Sequence, residues 1–260
     1  MAAALRGLGC EVEIIDPEAG MHRVGDHGWL AKLDFIVCRG RSVGLLALLQ
    51  WAELQGVPTL NRREAIAAVL DKARMAIALA AGGIPTPAAF LGPVRELAAG
   101  VPEECYPLIL KPVFGDNCRG LRLVANAEEM AEIQWPEPVA LAQHFLANDG
   151  WDLKLYGIGR EVWAVKKMSC LVQHGLHPIV KQDHEEVVQV TLTGELETLA
   201  HRCATLFGLE LYGVDCIETA RGPLVIEVND FPNYTRVPGA DAKLAEYVFR
   251  RAQEKKMRPR

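Results

Sequence analysis

Three oxygen-bearing side chains near the carboxyl end, Asp215, Glu227 and Asn229, have the types and spacing to hold a hard divalent cation. They lie in Leu211-Tyr-Gly-Val-Asp-Cys-Ile-Glu218 and Pro223-Leu-Val-Ile-Glu-Val-Asn-Asp230, apolar β-branched runs separated by Thr219-Ala-Arg-Gly222. Each run predicts a strand, and the separator ending in glycine predicts a turn. In Glu227-Val-Asn229 the two-residue period sets the carboxylate and the amide on one face, with Val228 on the other. Paired as a hairpin, the strands let Asp215 share that face. Such oxygens on a rigid sheet suit Mg²⁺ (or Mn²⁺) held between protein carboxylates and nucleotide phosphates. Two ordinary strands with solvent-facing acids are the alternative from these residues alone.

A second group lies upstream. Tyr106-Pro-Leu-Ile-Leu-Lys-Pro112 predicts a buried strand ending in Lys111; a loop containing Gly115, Asn117, Cys118, Arg119 and Gly120 follows, then a returning strand over 121–124. A glycine-bounded loop between two strands forms a flap whose N–H groups can wrap phosphate oxygens, and Lys111 adds a point charge. The loop has neither the Gly-Lys-Ser/Thr of a Walker A motif nor a Gly-x-Gly-x-x-Gly turn. A plain hairpin is the alternative here. The third group is Val139-Ala-Leu-Ala-Gln-His-Phe-Leu146, a strand that breaks into Ala-Asn-Asp-Gly-Trp-Asp152 and resumes over 153–159. The break exposes backbone groups for an adenine edge, Asp152 can accept from a ribose hydroxyl, and Lys154 is a cation on the next strand.

Other elements must position these groups. Residues 2–9 predict a helix stopping at glycine, 11–15 and 33–38 strands, 42–55 a helix and 57–60 a strand, a small parallel α/β layer. Asn61 is the expected N-cap of a helix over 62–69, and Lys72 opens a second helix ended by Gly82-Gly83, with Pro85 and Pro87 marking a linker. A flap subdomain over 88–135 and an antiparallel sheet from 139 onward, with a helix over 194–207 on one side, leave a cleft between them. The expected class is α/β (α+β), divided as 1–70, 71–138 and 139–260.

Taken in order, Asp71-Lys72, Lys111-Pro112 with its loop, Gln143-His-Phe-Leu146, Asp152-Leu-Lys154, Gly213-Val-Asp215 and Glu227-Val-Asn229 resemble the ATP-grasp superfamily, and within it the RimK-like carboxylate–amine (glutamate) ligases. The resemblance spans roughly residues 57–250. It implies an ATP-grasp fold in which Lys72 and Lys111 bind phosphates, aided by the Gly115, Asn117 and Gly120 loop. It further implies that Gln143, His144 and Phe145 meet adenine, largely through backbone atoms, and that Asp152 holds the ribose. Asp215, Glu227 and Asn229 then ligate magnesium, and Lys154 and Arg119 orient the anionic acceptor. The implied chemistry is attack of a substrate carboxylate on the γ-phosphate of ATP, then displacement of phosphate from the acyl phosphate by an amine. The implied partners are small-molecule or peptide carboxylates and amines, and relatives suggest a homo-oligomer. The chain departs from the pattern in Cys118, in His144, and in lacking an evident Arg-x-Asn segment, for which Lys166 or Lys167 is the available substitute. Gln143-His-Phe-Leu146 with Lys154-Leu-Tyr156, and Glu227-Val-Asn-Asp-Phe-Pro-Asn-Tyr234, also resemble ATP-grasp inositol-phosphate kinases, and a non-catalytic ATP-binding module is the third possibility.

Composition fits an enzyme rather than a nucleic-acid or membrane protein. The 260 residues are 50% hydrophobic and 23% charged with net charge −5, and no basic run exceeds the short tail. No stretch approaches membrane-spanning length. Seven scattered cysteines without a Cys-x-x-Cys pair predict reduced thiols in a cytoplasmic protein, and His174, His177, Cys170 and His184 fit no zinc template.

Overall fold

The computed structural model describes residues 1–115, 118–177, 187–234 and 236–256. At the amino end, α1 (Ala2–Gly7) precedes a two-stranded parallel sheet. In it β1 (Ile36–Val37) pairs with β2 (Thr59–Leu60), Ile36 opposite Thr59, and α2 (Val43–Leu54) makes the crossover. Ser42 starts α2 by accepting from the Leu45 N–H at 3.1 Å, the usual use of a hydroxyl at a helix start. The strand expected over residues 11–15 does not form. Alternating polar and apolar residues make a strand only when a ladder partner is present, and this segment has none among the described residues; Ile14 is 78% exposed.

Two helices follow, α3 (Arg63–Leu70) and α4 (Lys72–Ala81). Asn61 does not cap α3, whose N-cap is Arg62. Its side chain is buried and turned away: the amide nitrogen donates to the Leu211 carbonyl at 2.7 Å, and the amide oxygen accepts from the N–H groups of Glu210 and Leu211 at 2.8 and 3.0 Å. A buried strand start needs those partners more than an exposed helix start needs a cap. Asp71 caps α4, accepting from Ala73 and Arg74 N–H at 3.0 and 2.9 Å, which fixes Lys72 as the first helical residue.

Beyond the Pro85–Pro87 linker, a four-stranded sheet has the order β3-β6-β4-β5. Its elements are β3 (Ala89–Gly92), α5 (Val94–Gly100), β4 (Leu108–Lys111), β5 (Arg122–Val124), α6 (Ala127–Ala131) and β6 (Ala140–His144). The strand at 140–144 thus belongs to this sheet and not to the carboxy-terminal one anticipated from residue 139. Its small, buried Ala140 and Ala142 fit between β3 and β4 over a core of Val94, Leu97, Leu108, Leu110 and Met130.

The second sheet is antiparallel, ordered β11-β10-β7-β8-β9. It comprises β7 (Trp151–Ile158), β8 (Glu161–Met168), β9 (Val187–Val190), β10 (Leu211–Thr219) and β11 (Gly222–Asp230). The short α7 (Cys170–Gln173) follows β8, α8 (Gly194–Phe207) precedes β10, and α9 (Ala240–Lys256) ends the described chain. Thr193 caps α8, Gly208 ends it in the left-handed region, and Leu196, Leu199, Ala200, Cys203 and Phe207 form its buried stripe. Each large apolar side chain on that stripe contributes about 1.5–3 kcal/mol by leaving water. Leu153 and Leu155 of β7 and Val214 of β10 meet them from one sheet face, which leaves the alternate residues of both strands for the other face.

Candidate active site

That other face carries the candidate site residues. In the β10–β11 hairpin Asp215 stands directly opposite Glu227, and Gly213 opposite Asn229. The register slips between Asp215 and Cys216, where Cys216 pairs with Val225 and Ile226 is the extra residue. The bulge lets Val225 and Val228 both join the core while Ile226, Glu227 and Asn229 line a cavity. On the next strand Lys154 lies opposite Asp215. The cavity, of about 650 Å³, is walled by both sheets and is of a size to take a nucleotide and a small second substrate.

Nearly every residue singled out from the sequence reaches this cavity: Lys72, Lys111, Gly115 and Arg119, then Gln143, His144, Phe145, Asp152 and Lys154, and finally Asp215, Glu227 and Asn229. Gly120 sits in the same loop, in the left-handed region at φ 76°, against the Pro112 ring that a Cβ would meet at 3.4 Å. Asn117 lies outside the described residues. Of the two substitute lysines, Lys167 lines the cavity, and Lys166, one residue away on β8, pairs instead with Glu218.

Each acidic or amide group is met by a cation from a different element. The Lys72 ammonium donates to Glu227 at 3.0 Å and to the Gly115 carbonyl at 2.8 Å, which joins α4, the flap loop and β11. Lys154 donates to Asp215 at 2.7 Å, and Arg41 donates to Asn229 and, through Nε, to Asp230 at 3.1 Å. Burial works to raise the Glu227 carboxyl, but Lys72 and Lys111 outweigh it and hold the group below its ordinary value, ionised at neutral pH. For Lys154 burial is likewise overcome, here by Asp215 and Asp152, and the net shift is upward. Lys111 is lowered by burial, against the pull of Glu227, and donates to Gln143 at 2.6 Å. Burial pushes the Asp152 carboxyl up to about 6 despite Lys154.

Two carboxylates and an amide meet the chemistry of a magnesium site that takes its remaining ligands from phosphates and water. Among the described residues no set of three His, Cys, Asp or Glu could hold a metal ion, and the third oxygen donor beside the two carboxylates is the Asn229 amide. Lys72, Lys111 and the flap supply the complementary positive surface.

Three features differ from the sequence reading. Of the backbone groups in the segment expected to meet adenine, the N–H groups of His144 and Phe145 already donate to the Ala88 and Pro107 carbonyls at 2.8 and 2.9 Å. Cys118 and Cys170, expected as free thiols, form a disulfide with a Cα–Cα separation of 6.4 Å. Fifty-two residues apart, they meet because the flap loop folds over the start of α7, a tertiary contact that spacing does not reveal. The remaining described cysteines are free, and His177 contacts Asn148 at 3.2 Å. Finally, Arg39 and Arg41 enter the cavity from the loop after β1; the only sequence signal was a pair of guanidinium groups around Gly40 between a strand and a helix cap.

Comparison with known proteins agrees with this geometry. A protein of Alkalilimnicola ehrlichii named "Probable alpha-L-glutamate ligase" is 27% identical over 94% of this chain and 86% of its own length. A Pasteurella multocida protein of the same name is 30% identical over 72% of this chain and 61% of its own. Among solved structures, a RimK domain ATP-grasp protein from Sphaerobacter thermophilus superimposes with a TM-score of 0.72 at 21% identity, covering 95% of this chain and 92% of that one. D-alanine–D-alanine ligase from Bacillus anthracis gives 0.65 at 17% identity over 88% and 83%, and both likenesses show the ATP-grasp fold. Residues 69–247 match the model of the RimK-like ATP-grasp domain, and the chain belongs to that family, as an ATP-dependent, ADP-forming carboxylate–amine ligase.

Proposed function

We propose that the chain joins L-glutamate to an amine-bearing or carboxylate-bearing partner, with ATP and Mg²⁺ bound in the cavity between the two sheets. The observation that carries this reading is the cross-strand pair Asp215–Glu227 with Asn229 beside it, facing Lys72 and Lys111 across one cavity. Asp215, Glu227 and Asn229 would hold the metal, which when bound offsets phosphate charge and polarises the phosphoryl group. Lys111 and Lys72 would grip the phosphates, and the loop from Pro112 to Gly120 would cover them. Asp152 would accept from the ribose. Lys154 holds Asp215 in place, and Arg119 at the flap edge would orient the anionic acceptor. No side chain need act as nucleophile: these residues position the carboxylate against the γ-phosphate, exclude water, and stabilise charge on the transferring group. The glutamate assignment draws on the named relatives. No helix of the described residues is long and apolar enough to cross a membrane, and the need for ATP supports a cytoplasmic setting.

ADP release measured across amino acids, short glutamyl peptides and inositol phosphates tests the reading. The expected result is release that requires a carboxylate and an amine together. In Glu227→Gln we expect kcat/KM to fall by about 10²–10³-fold, because a ligand charge is lost where charge develops. Unchanged turnover in that variant would refute the metal assignment, and turnover with an inositol phosphate alone would refute ligation.

A further inference from the structure

We infer that Arg39 is a specificity residue that binds a spectator carboxylate of the substrate, one not joined in the reaction. This rests on the ligase reading above. Arg39, Gly40 and Arg41 line the cavity from the loop between β1 and α2. Three of the cavity's cations are already neutralised: Lys72 by Glu227, Lys154 by Asp215, and Arg41 by Asp230, whose side chain is 1% exposed. Arg41 is therefore a positioning residue, anchoring the loop to the end of β11.

Arg39 differs. Its guanidinium lies over the Phe231 ring with its carbon 5.7 Å from the centroid, and among the described residues it has no ion-pair partner. A guanidinium resting over an aromatic ring keeps N–H donors for a further partner, and its planar fork can take a carboxylate with two parallel hydrogen bonds. Phe231, immediately after β11, adopts φ 39°, a left-handed conformation uncommon outside glycine, and Gly40 at φ 133° lets the loop turn so that Arg39 and Arg41 both reach the cavity. Phe231 is two residues beyond Asn229, whereas Gln143, His144 and Phe145 come from the opposite sheet. Arg39 thus sits beside the end of β11, near Asn229, rather than on the sheet that carries Gln143, His144 and Phe145. Every α-amino acid substrate of a carboxylate–amine ligase carries at least one carboxylate that is not joined when it serves as the amine, and glutamate then carries two.

The test is calorimetric titration of L-glutamate into the protein held with saturating ADP and Mg²⁺, repeated with its α-amide and with L-glutamine, its γ-amide. Wild type is expected to bind glutamate and to bind one of the two amides distinctly more weakly. Arg39→Gln should lose about 10–100-fold in glutamate affinity, the loss of a charge-assisted pair, with an intermediate loss in Arg39→Lys and an unchanged ADP affinity in both. Glutamate binding as tight in Arg39→Gln as in wild type would overturn the assignment. So would equal binding of all three ligands, no binding by wild type, or a parallel loss of ADP affinity that would put Arg39 on the nucleotide. ADP release from ATP by wild type, with glutamate and amines, is a separate arm. Turnover with an unchanged KM for glutamate in Arg39→Gln refutes Arg39 alone. Absence of turnover refutes the ligase reading while the titration still decides Arg39.

Discussion

Replacing Asp152 by asparagine is expected to make the protein more stable, and more so at higher pH. Asp152 is buried, and its carboxyl is raised from 3.8 to about 6, first by burial and against the attraction of Lys154. A carboxyl raised by folding binds its proton more tightly in the native state than in the unfolded chain. The resulting penalty is absent below the unfolded value near 4, grows as pH rises, and is complete above about 6. A difference of about 2 pH units corresponds to about 3 kcal/mol at pH 7.5, falling to roughly 1.6 kcal/mol at pH 5 where the native carboxyl is mostly protonated. Asparagine has nearly the same shape, keeps an acceptor for the Ser169 hydroxyl, and carries no charge to desolvate. Urea denaturation of both proteins at pH 5.0 and pH 7.5 measures the difference directly, with m-values checking that the denatured states match. A variant no more stable than wild type at pH 7.5, or a gain of equal size at both pH values, would show that burial does not penalise this carboxylate. A native protein that carries such a penalty in its cleft is consistent with a group kept for the ligand rather than for the fold.

Three further outcomes are expected. Asn61→Ala, which strips three buried hydrogen bonds at the start of β10, should cost about 2–4 kcal/mol in urea denaturation, and a loss under about 1 kcal/mol would mean that water replaces the amide. Reduction of the Cys118–Cys170 bond should lower stability by up to about 4 kcal/mol from loop entropy; reduced wild type and Cys118→Ser should coincide, and a reductant-insensitive denaturation curve and intact mass would contradict the bridge. Gly157→Ala places a Cβ 2.0 Å from the buried Tyr212 ring, so a loss of more than about 3 kcal/mol, or no folded protein in expression trials, is expected; ordinary stability would mean that Tyr212 can move aside.

Local chemistry made much of this molecule readable before any coordinates. The hairpin holding Asp215, Glu227 and Asn229 followed from β-branched alternation, and α8 from its apolar stripe between Thr193 and Gly208. What the alternation could not show was the bulge at Ile226, since a skipped residue leaves no mark in composition. Residues 11–15 had the pattern of a strand but no neighbour to pair with. Asn61 had the chemistry of a cap, and a distant strand start competed for it successfully. The lysines of the cleft were found because each sits in a recognisable motif. Their pairings with Glu227 and Asp215 were not, because an ion pair across 155 or 61 residues depends on topology. Arg39 and Arg41 were passed over for the same reason: only folding brings the loop after β1 to the end of β11. The Cys118–Cys170 bridge was masked by a scattered, odd set of seven thiols.

The buried amide of Asn61 also bears on how the cleft can move. Sliding the first α/β layer along the large sheet would break three hydrogen bonds together, two of them buried. The wall that bears the two arginines is therefore tied by hydrogen bonds to the start of the carboxylate hairpin, whereas the opposite wall follows the Pro85–Pro87 connector. One rim of the chamber is thus pinned to the sheet that carries Asp215 and Glu227, while the other is joined to it through a short proline-bearing link.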